Sequence, residues 1–383
     1  MTSESPHAGR ALGLGQATCL IAGAGIGGGV MAVPALAANV GIGPTLVVMA
    51  VAYCVTVVLH IMVAELSRRT DYASELLTIF SRHLFGDRVL WKYLFYVLMC
   101  LTLICNLAAY IVGSGDILAT LLGWPLIACK ALFFVFAAVV VALGLRRIAI
   151  NEVVAVIVMV ALLSPLLIGT VALPHHQPWP ATHWRIMPGL AVYGMVMFSL
   201  SSLFAVPQAA SGLRDDRRRL PVAVVLGLLI NLVVTLGIVL CVLASSAPVT
   251  EVAIIGWSRA LGSGAHAFGS LFIVLAMLTT FWSISLQLSD MTGALLHAGR
   301  LRAWLVATVP CFIVALLPVS GFLNLMQLAG GATAVIVAVM AVPAYRNATA
   351  RQPDLLLGAR GRAGWLCGTV IAMYLLMAVG SLV

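Results

Sequence analysis

Ile21-Ala22-Gly23-Ala24-Gly25-Ile26-Gly27-Gly28-Gly29-Val30-Met31-Ala32-Val33-Pro34 is the stretch on which the reading of the whole chain turns. It lies in a long apolar run and places five glycines between Gly23 and Gly29. Each glycine weakens an ordinary helix by about 1 kcal/mol relative to alanine. Pro34 then removes a backbone donor. Such a segment can break. Broken backbone is tolerated in a membrane only where it is buried in protein or lines a wet cavity. There the free N–H groups of a half-helix hold a carboxylate, and free carbonyls hold a cation. An α-amino acid carries both charges. The alternative is that the glycines only let helices pack closely. The coincidence of the cluster with Pro34 favours a functional break.

The composition outside this stretch agrees with a membrane setting. Of 383 residues, 62% are hydrophobic and 9% charged, where a soluble domain carries about 25% charged residues. The 21 basic and 12 acidic side chains cannot cover a water-facing surface. A soluble enzyme, a nucleic-acid binder and a disordered chain are thereby excluded. The apolar runs are continuous rather than alternating, which excludes a β-barrel. The eight cysteines lie in or beside apolar segments without a CxxC pair, and read as small core residues rather than disulfides or metal ligands. No cofactor is expected.

Eleven spans near the required length of about 20 residues are predicted at 14–36, 43–66, 92–115, 124–145, 149–173, 189–212, 220–244, 266–291, 303–318, 321–343 and 365–383. The expected fold is therefore all-α integral membrane, with 1–383 as a single transmembrane domain. One alternate set of loops holds 18 of the 21 basic residues, including Arg68, Arg69, Arg82, Arg88, Arg214 and Arg217 to Arg219. That places the N-terminus in the cytoplasm and the C-terminus outside. The net charge of +9 is thus a topology signal. The first span is longer than a signal-peptide core, although Ala35-Leu36-Ala37 resembles a cleavage site, so it is read as retained. Ser67 to Lys92 should hold an amphipathic cytoplasmic helix around Glu75, Leu76, Leu77, Ile79 and Phe80. Pro174 to Pro188, with His175, His176, Trp179, His183 and Trp184, reads as an external interfacial loop and not as a metal site.

Span six repeats the character of span one. Phe198-Ser199-Leu200-Ser201-Ser202-Leu203-Phe204-Ala205-Val206-Pro207 again sets small or hydroxyl residues before an Ala-Val-Pro. Spans five apart cross in opposite directions, so residues 14–173 and 189–343 are expected to form an inverted repeat, with 365–383 as an added helix.

At these residues the sequence resembles the hydroxy/aromatic amino acid permease family, in the amino acid/auxin permease branch of the amino acid–polyamine–organocation superfamily. The first-span run quoted above carries the likeness. So do Ala108-Ala109-Tyr110-Ile111 with Gly113-Ser114-Gly115, and Thr279-Thr280-Phe281 with Ser283, Ser285, Leu286 and Asp290. Span six departs from the family's usual Gly-Phe-His element, with Met197-Phe198-Ser199-Leu200 in its place. The resemblance implies a leucine-transporter-type 5+5 inverted-repeat fold. It implies a symporter of neutral, aromatic (tyrosine or tryptophan) or hydroxylated amino acids at the bacterial inner membrane, driven by protons through alternating access. Spans one, two, six and seven would rock against three, four, eight and nine. Gly23, Gly25, Gly27 and Gly28 would bind the substrate's charged groups. Ile26, Tyr110, Phe198, Ser199 and Ser202 would surround the rest.

Ionisable residues within spans cost about 2.5–3.5 kcal/mol each, so His60, Glu65, Asp116, Lys130, Glu152 and Asp290 are the candidates for coupling. His60 and Asp290 are preferred for a proton. In the sodium alternative, Thr279 and Thr280 would supply oxygens opposite the Ala22 and Gly25 carbonyls. A channel, a non-transporting sensor and a membrane enzyme are the competing classes. No filter-like repeat, large soluble domain or nucleophile–base pair supports them.

Overall fold

The computed structural model describes residues 12–72, 76–86, 88–142, 151–173, 177–214, 216, 218–318, 321–350 and 354–383. Arg10, Glu75, Arg146, Arg147, His175, His176, Arg217 and Arg351 fall outside them, as does the side chain of Glu152. All regular structure among the described residues is helical.

The first span is two helices, α1 (Leu14–Gly25) and α2 (Gly28–Ala37), bent by 54°. The break is a tight turn. The Gly27 N–H donates to the Gly25 carbonyl at 2.9 Å across Ile26, whose φ of −79° and ψ of 80° are those of an inverse γ-turn. Then come α3 (Ile42–Arg69), the short α4 (Leu76–Phe80) with a π turn over Ser81–Phe85, α5 (Val89–Leu122), α6 (Leu126–Ala142) and α7 (Asn151–Val171). The second half opens with another interrupted pair, α8 (Ile186–Ser199) and α9 (Ala205–Gly212). It continues with α10 (Arg219–Ser245), α11 (Ala253–Ala260), α12 (Ser263–Leu296), α13 (Arg300–Leu316) and α14 (Phe322–Ile336). A π turn at Val337–Ala341 leads into α15 (Val342–Thr349), and α16 (Gly364–Gly380) ends the chain.

Among the described residues, α3, α5, α10, α12 and the continuous run from α14 through the π turn into α15 are long and apolar enough to cross a membrane, and the bent α1–α2 pair makes a sixth span. Shorter apolar helices include α6, α7, α8, α13 and α16. Helix lengths run in parallel through the two halves. α3 and α10 have 28 and 27 residues, α5 and α12 have 34 each, and α6 and α13 have 17 each. At 1.5 Å per residue a 34-residue helix is about 51 Å long, well beyond a hydrocarbon core of about 30 Å. This is why α5 and α12 overrun the predicted 92–115 and 266–291. α5 stops where Gly123 takes a φ of +69° and donates to the Ala119 carbonyl, the left-handed cap that glycine accepts most readily.

Helix contacts sort into two groups. α1, α2, α3, α8, α9 and α10 pack on one another, and α5, α6, α12 and α13 do the same. α7 touches both groups, through α1 and α10 on one side and α12 on the other. α14 lies along α5 and also meets α8 and α16. Outer helix faces carry bare apolar side chains such as Val97, Ile127, Phe136, Val160 and Val233. In water that surface would be an aggregation liability, whereas lipid suits it. Exposed Trp91, Trp124 and Trp365 sit at helix ends, where a bilayer interface favours amphipathic rings.

The predicted amphipathic segment is helical, and it turns Leu76, Ile79 and Phe80 inward. Phe80 meets Phe95 of α5 edge-on, at 5.1 Å between ring centres. At the same end of the bundle, buried Glu65 accepts from Arg68 at 2.5 Å, from Arg69 at 2.6 Å and from the Leu356 N–H at 3.0 Å. Both arginines also donate to the Asp354 carbonyl. Glu65 therefore has a structural explanation: it fastens the end of α3 to the segment that leads into α16. Lys130 is explained in the same way, since its Nζ donates at 2.9 Å to the Ala315 carbonyl near the end of α13, an orphan acceptor at a negative dipole end.

Candidate functional site

The two breaks lie side by side and are tied together. The Ser202 hydroxyl donates to the Ile21 carbonyl of α1 at 2.7 Å. The Ser202 N–H donates to His60 Nε2 at 2.8 Å, and His60 Nδ1 lies 2.7 Å from the Thr56 carbonyl. A carbonyl only accepts and an N–H only donates, so His60 must be neutral with its hydrogen on Nδ1. His60 takes the Ser202 N–H out of the helical ladder while the Ser201 N–H turns back on the Phe198 carbonyl at 2.9 Å, and α8 ends.

Asn231 of α10, fully buried, adds a third tie. Its Nδ2 donates to the Ser199 carbonyl at 2.9 Å. A Cβ built on Gly25 would land on that amide and lie 3.3 Å from the Ser199 carbonyl oxygen. Gly25 is therefore glycine because Asn231 and the end of α8 occupy the space. Gly29 is under similar pressure, with the Ser199 Cα 3.2 Å from where a Cβ would sit.

A cavity of about 150 Å³ opens against these breaks. It is lined from Gly23, Gly25, Gly27, Phe198, Ser199 and Ser202 on the broken helices, and from Tyr110, Thr279 and Thr280 opposite. From there it runs past Cys19 of α1, Thr102 of α5, Gln208 of α9 and Gln287 of α12, toward the end at which α1 begins and α3 and α12 finish. The other side is shut by buried Tyr110 and Phe322. Tyr110 Cε1 lies 2.7 Å and Phe322 Cε2 lies 3.3 Å from a Cβ placed on Gly28, and the Tyr110 hydroxyl is 3.0 Å from one on Gly27. No Asp, Glu, His, Lys or Arg side chain lines the cavity among the described residues. Its walls combine the aromatic rings of Tyr110, Phe198, Phe204 and Trp282 with amides and hydroxyls.

The sequence-predicted residues fare unevenly. Gly23, Gly25, Gly27, Tyr110, Phe198, Ser199, Ser202, Thr279 and Thr280 meet at the cavity. Ile26 and Gly28 do not line it: Ile26 is buried in the apolar core, and Gly28 is covered by Tyr110 and Phe322. The Ala22 carbonyl accepts the Ile26 N–H at 3.2 Å. Thr279 and Thr280 both donate to the Ala276 carbonyl, at 3.0 and 2.9 Å. His60 sits one hydrogen bond behind the cavity wall. Asp290 is exposed and away from the lining. No group of His, Cys, Asp or Glu suited to a metal occurs among the described residues.

Sequence reasoning misses Asn106, Asn231, Gln208 and Gln287. The signal available is an uncharged amide inside an apolar span, and a search confined to ionisable side chains passes over it.

A sequence profile of the tryptophan/tyrosine permease family matches residues 12–380. No curated protein matches the chain in sequence. Among solved structures, the chain is similar to Mhp1, a nucleobase-cation-symport-1 family transporter, in a closed conformation with bromovinylhydantoin bound. The TM-score is 0.69 at 12% identity, over 100% of this chain and 93% of that one. It is also similar to a point mutant of a manganese transporter from Eremococcus coleocola, with a TM-score of 0.63 at 15% identity over 96% of this chain and 84% of that one. At these identities the likeness is one of fold. Together with the family match it makes this chain a multi-pass membrane transporter of amino acids and not an enzyme.

Proposed function

The chain belongs to the tryptophan/tyrosine permease family, and from that premise we propose that it is a symporter of neutral aromatic amino acids, driven by protons through alternating access. The observation that carries this reading is the pair of helix breaks tied together on one cavity without a charged side chain. A zwitterion with a neutral side chain suits such a site. Its carboxylate goes to the N-terminus of α2, where the first N–H groups of a helix have no partners within it. Its ammonium goes to the carbonyl ends of α1 and α8. Its ring lies among Tyr110, Phe198 and Trp282.

The eleven spans and the 5+5 inverted repeat belong to the same proposal. They are supported by the parallel helix lengths and by the two interrupted pairs that open the two halves. The arginine-rich loops support an N-terminus in the cytoplasm and a C-terminus on the opposite side, which in the bacterial inner membrane that the family reading implies is the periplasm. The cavity then opens to the cytoplasm, with Tyr110 and Phe322 as the closed outer side. The group of α1, α2, α3, α8, α9 and α10 is the moving body, and α5, α6, α12 and α13 form its support.

His60 offers a way to couple the proton. Neutral, it accepts the Ser202 N–H and so shapes the break in the sixth span. Protonated on Nε2, it has no lone pair for that bond. A proton arriving there releases the Ser202 backbone, so the charge state of one side chain sets the conformation of the site. Sodium is the runner-up. It is favoured by Thr279 and Thr280, whose hydroxyl hydrogens go to Ala276 while both residues line the cavity. Hard cations take such oxygen ligands.

The test is uptake of labelled tyrosine, tryptophan, serine and leucine into proteoliposomes under a pH gradient and, separately, a sodium gradient. Accumulation of an aromatic amino acid on the pH gradient alone is expected. Accumulation only with sodium moves the coupling site to Thr279 and Thr280. No accumulation under either gradient overturns the substrate class.

A further inference from the structure

Seven buried side-chain atoms among the described residues have no hydrogen-bond partner, and three of them belong to the cavity wall: Asn106 Oδ1, Trp282 Nε1 and Gln287 Oε1. All three sit on α5 and α12, across from the helix breaks. Asn106 is 7% exposed and lines the cavity, so its free acceptor belongs to the cavity wall and not to the outer surface. Buried polar atoms in folded proteins are nearly always paired. A cluster of unpaired ones around a cavity marks where a ligand's polar group belongs.

The position along the helices agrees. Tyr110 lies against Gly27 and Gly28, at the level of the break. Asn106 is four residues earlier on α5, about 6 Å along the axis, on the side toward which the cavity runs. That offset matches the reach of an aromatic side chain whose α-carbon stands at the break. Two of the unpaired atoms are acceptors and one is a donor. A phenol O–H or an indole N–H gives the acceptors a donor, and a phenyl ring gives them nothing.

We propose that Asn106, with Gln287 and Trp282, forms the subsite that reads the polar group on the substrate's ring, and that it makes this transporter discriminate tyrosine and tryptophan from phenylalanine. The proposal rests on the reading of the chain as an aromatic amino acid transporter. It adds the residues that select within that class. Binding phenylalanine strands the buried acceptors, and a site built for a hydrogen bond rejects the analogue that lacks it.

The experiment is the KM for tyrosine, tryptophan and phenylalanine in proteoliposomes of the wild-type chain, of Asn106→Leu and of Gln287→Leu. The wild type is expected to show a phenylalanine KM at least roughly tenfold above that for tyrosine. Each variant should narrow that ratio, Asn106→Leu the more. A wild type that handles phenylalanine and tyrosine alike overturns the subsite, and the three atoms then only hold water. A variant that raises all three KM values by one factor also overturns it, because Asn106 would then act by packing on α5. Should Asn106→Leu fail to purify as a monodisperse protein, the half-buried Gln287→Leu carries the test, and an unchanged ratio there refutes the proposal. A wild type that transports none of the three overturns the proposed function itself, a different outcome from transport without discrimination.

Discussion

Substituting Gly25 by alanine probes how the breaks are held. The added methyl group would fall on the Asn231 amide and come within 3.3 Å of the Ser199 carbonyl oxygen. Asn231 must then move, and its 2.9 Å hydrogen bond to Ser199 is lost. Asn231 is fully buried, so its amide and the Ser199 carbonyl are both left without partners away from bulk water. Each unsatisfied buried group costs about 1–3 kcal/mol. If the cost of even one of these groups falls on the substrate-competent conformation, affinity drops by roughly 5- to 150-fold. Asn231→Ala removes the same bond while vacating the space that the Gly25 methyl needs. The two substitutions should therefore be strongly non-additive. Uptake KM and the thermal midpoint of the detergent-purified protein, measured for both single variants and the double variant, give the cycle. The double variant is expected to be no worse than Gly25→Ala alone. Wild-type uptake by Gly25→Ala, or effects that simply add, would refute the account of why Gly25 is glycine.

Other perturbations test separate parts of the molecule. His60→Gln keeps an acceptor for the Ser202 N–H but cannot titrate, so proton-driven accumulation should fall further than counterflow without a gradient. Equal losses in both assays would make His60 purely structural. Glu65→Ala leaves Arg68, Arg69 and the Leu356 N–H without their shared carboxylate. Loss of one partner of a buried ion pair costs about 3–5 kcal/mol, and a midpoint shift of less than about a degree would count against that anchoring role. His83, outside the spans, pairs with the Thr70 hydroxyl at 2.9 Å; burial and then the nearby Arg82 charge hold its pKa below the usual 6.5. The folded state therefore binds fewer protons at this site than the unfolded state, and its contribution is complete above about pH 6.5 and lost as pH falls below it. The thermal midpoint should decline below that pH and do so less steeply in His83→Asn; identical slopes would dismiss the assignment.

How much the sequence reveals depends on what kind of signal each feature leaves. The break in the first span is legible because glycine acts through the backbone, and backbone preference is local. The break in the sixth is legible only as a run of serines. What completes it is His60, Ser202 and Ile21 meeting from three different helical segments, and no local pattern encodes that meeting. Glu65 and Lys130 stand out as costly charges, yet their explanations, the segment around Leu356 and the end of α13, are distant in sequence. Ile26 and Gly28 are singled out by their place in the glycine cluster, but the γ-turn puts the Ile26 side chain in the apolar core and Tyr110 and Phe322 cover Gly28, so these two face protein rather than cavity. Asn106 and Asn231 leave almost no trace. One amide in an apolar helix carries little information until the partner it holds, or lacks, is seen.

The ties between the broken helices have an evolutionary consequence. Ser202 bound to Ile21, and Asn231 wedged between Gly25 and Ser199, make the two breaks a single piece. In the proposed binding mode that piece faces the ammonium and carboxylate, which every amino acid shares, and the opposite wall, on α5 and α12, faces what differs from one amino acid to the next. Substitutions there can explore new side chains while the recognition of the common part stays untouched. A lineage built this way can drift among substrates through single changes on one wall, without passing through a form that binds no amino acid at all.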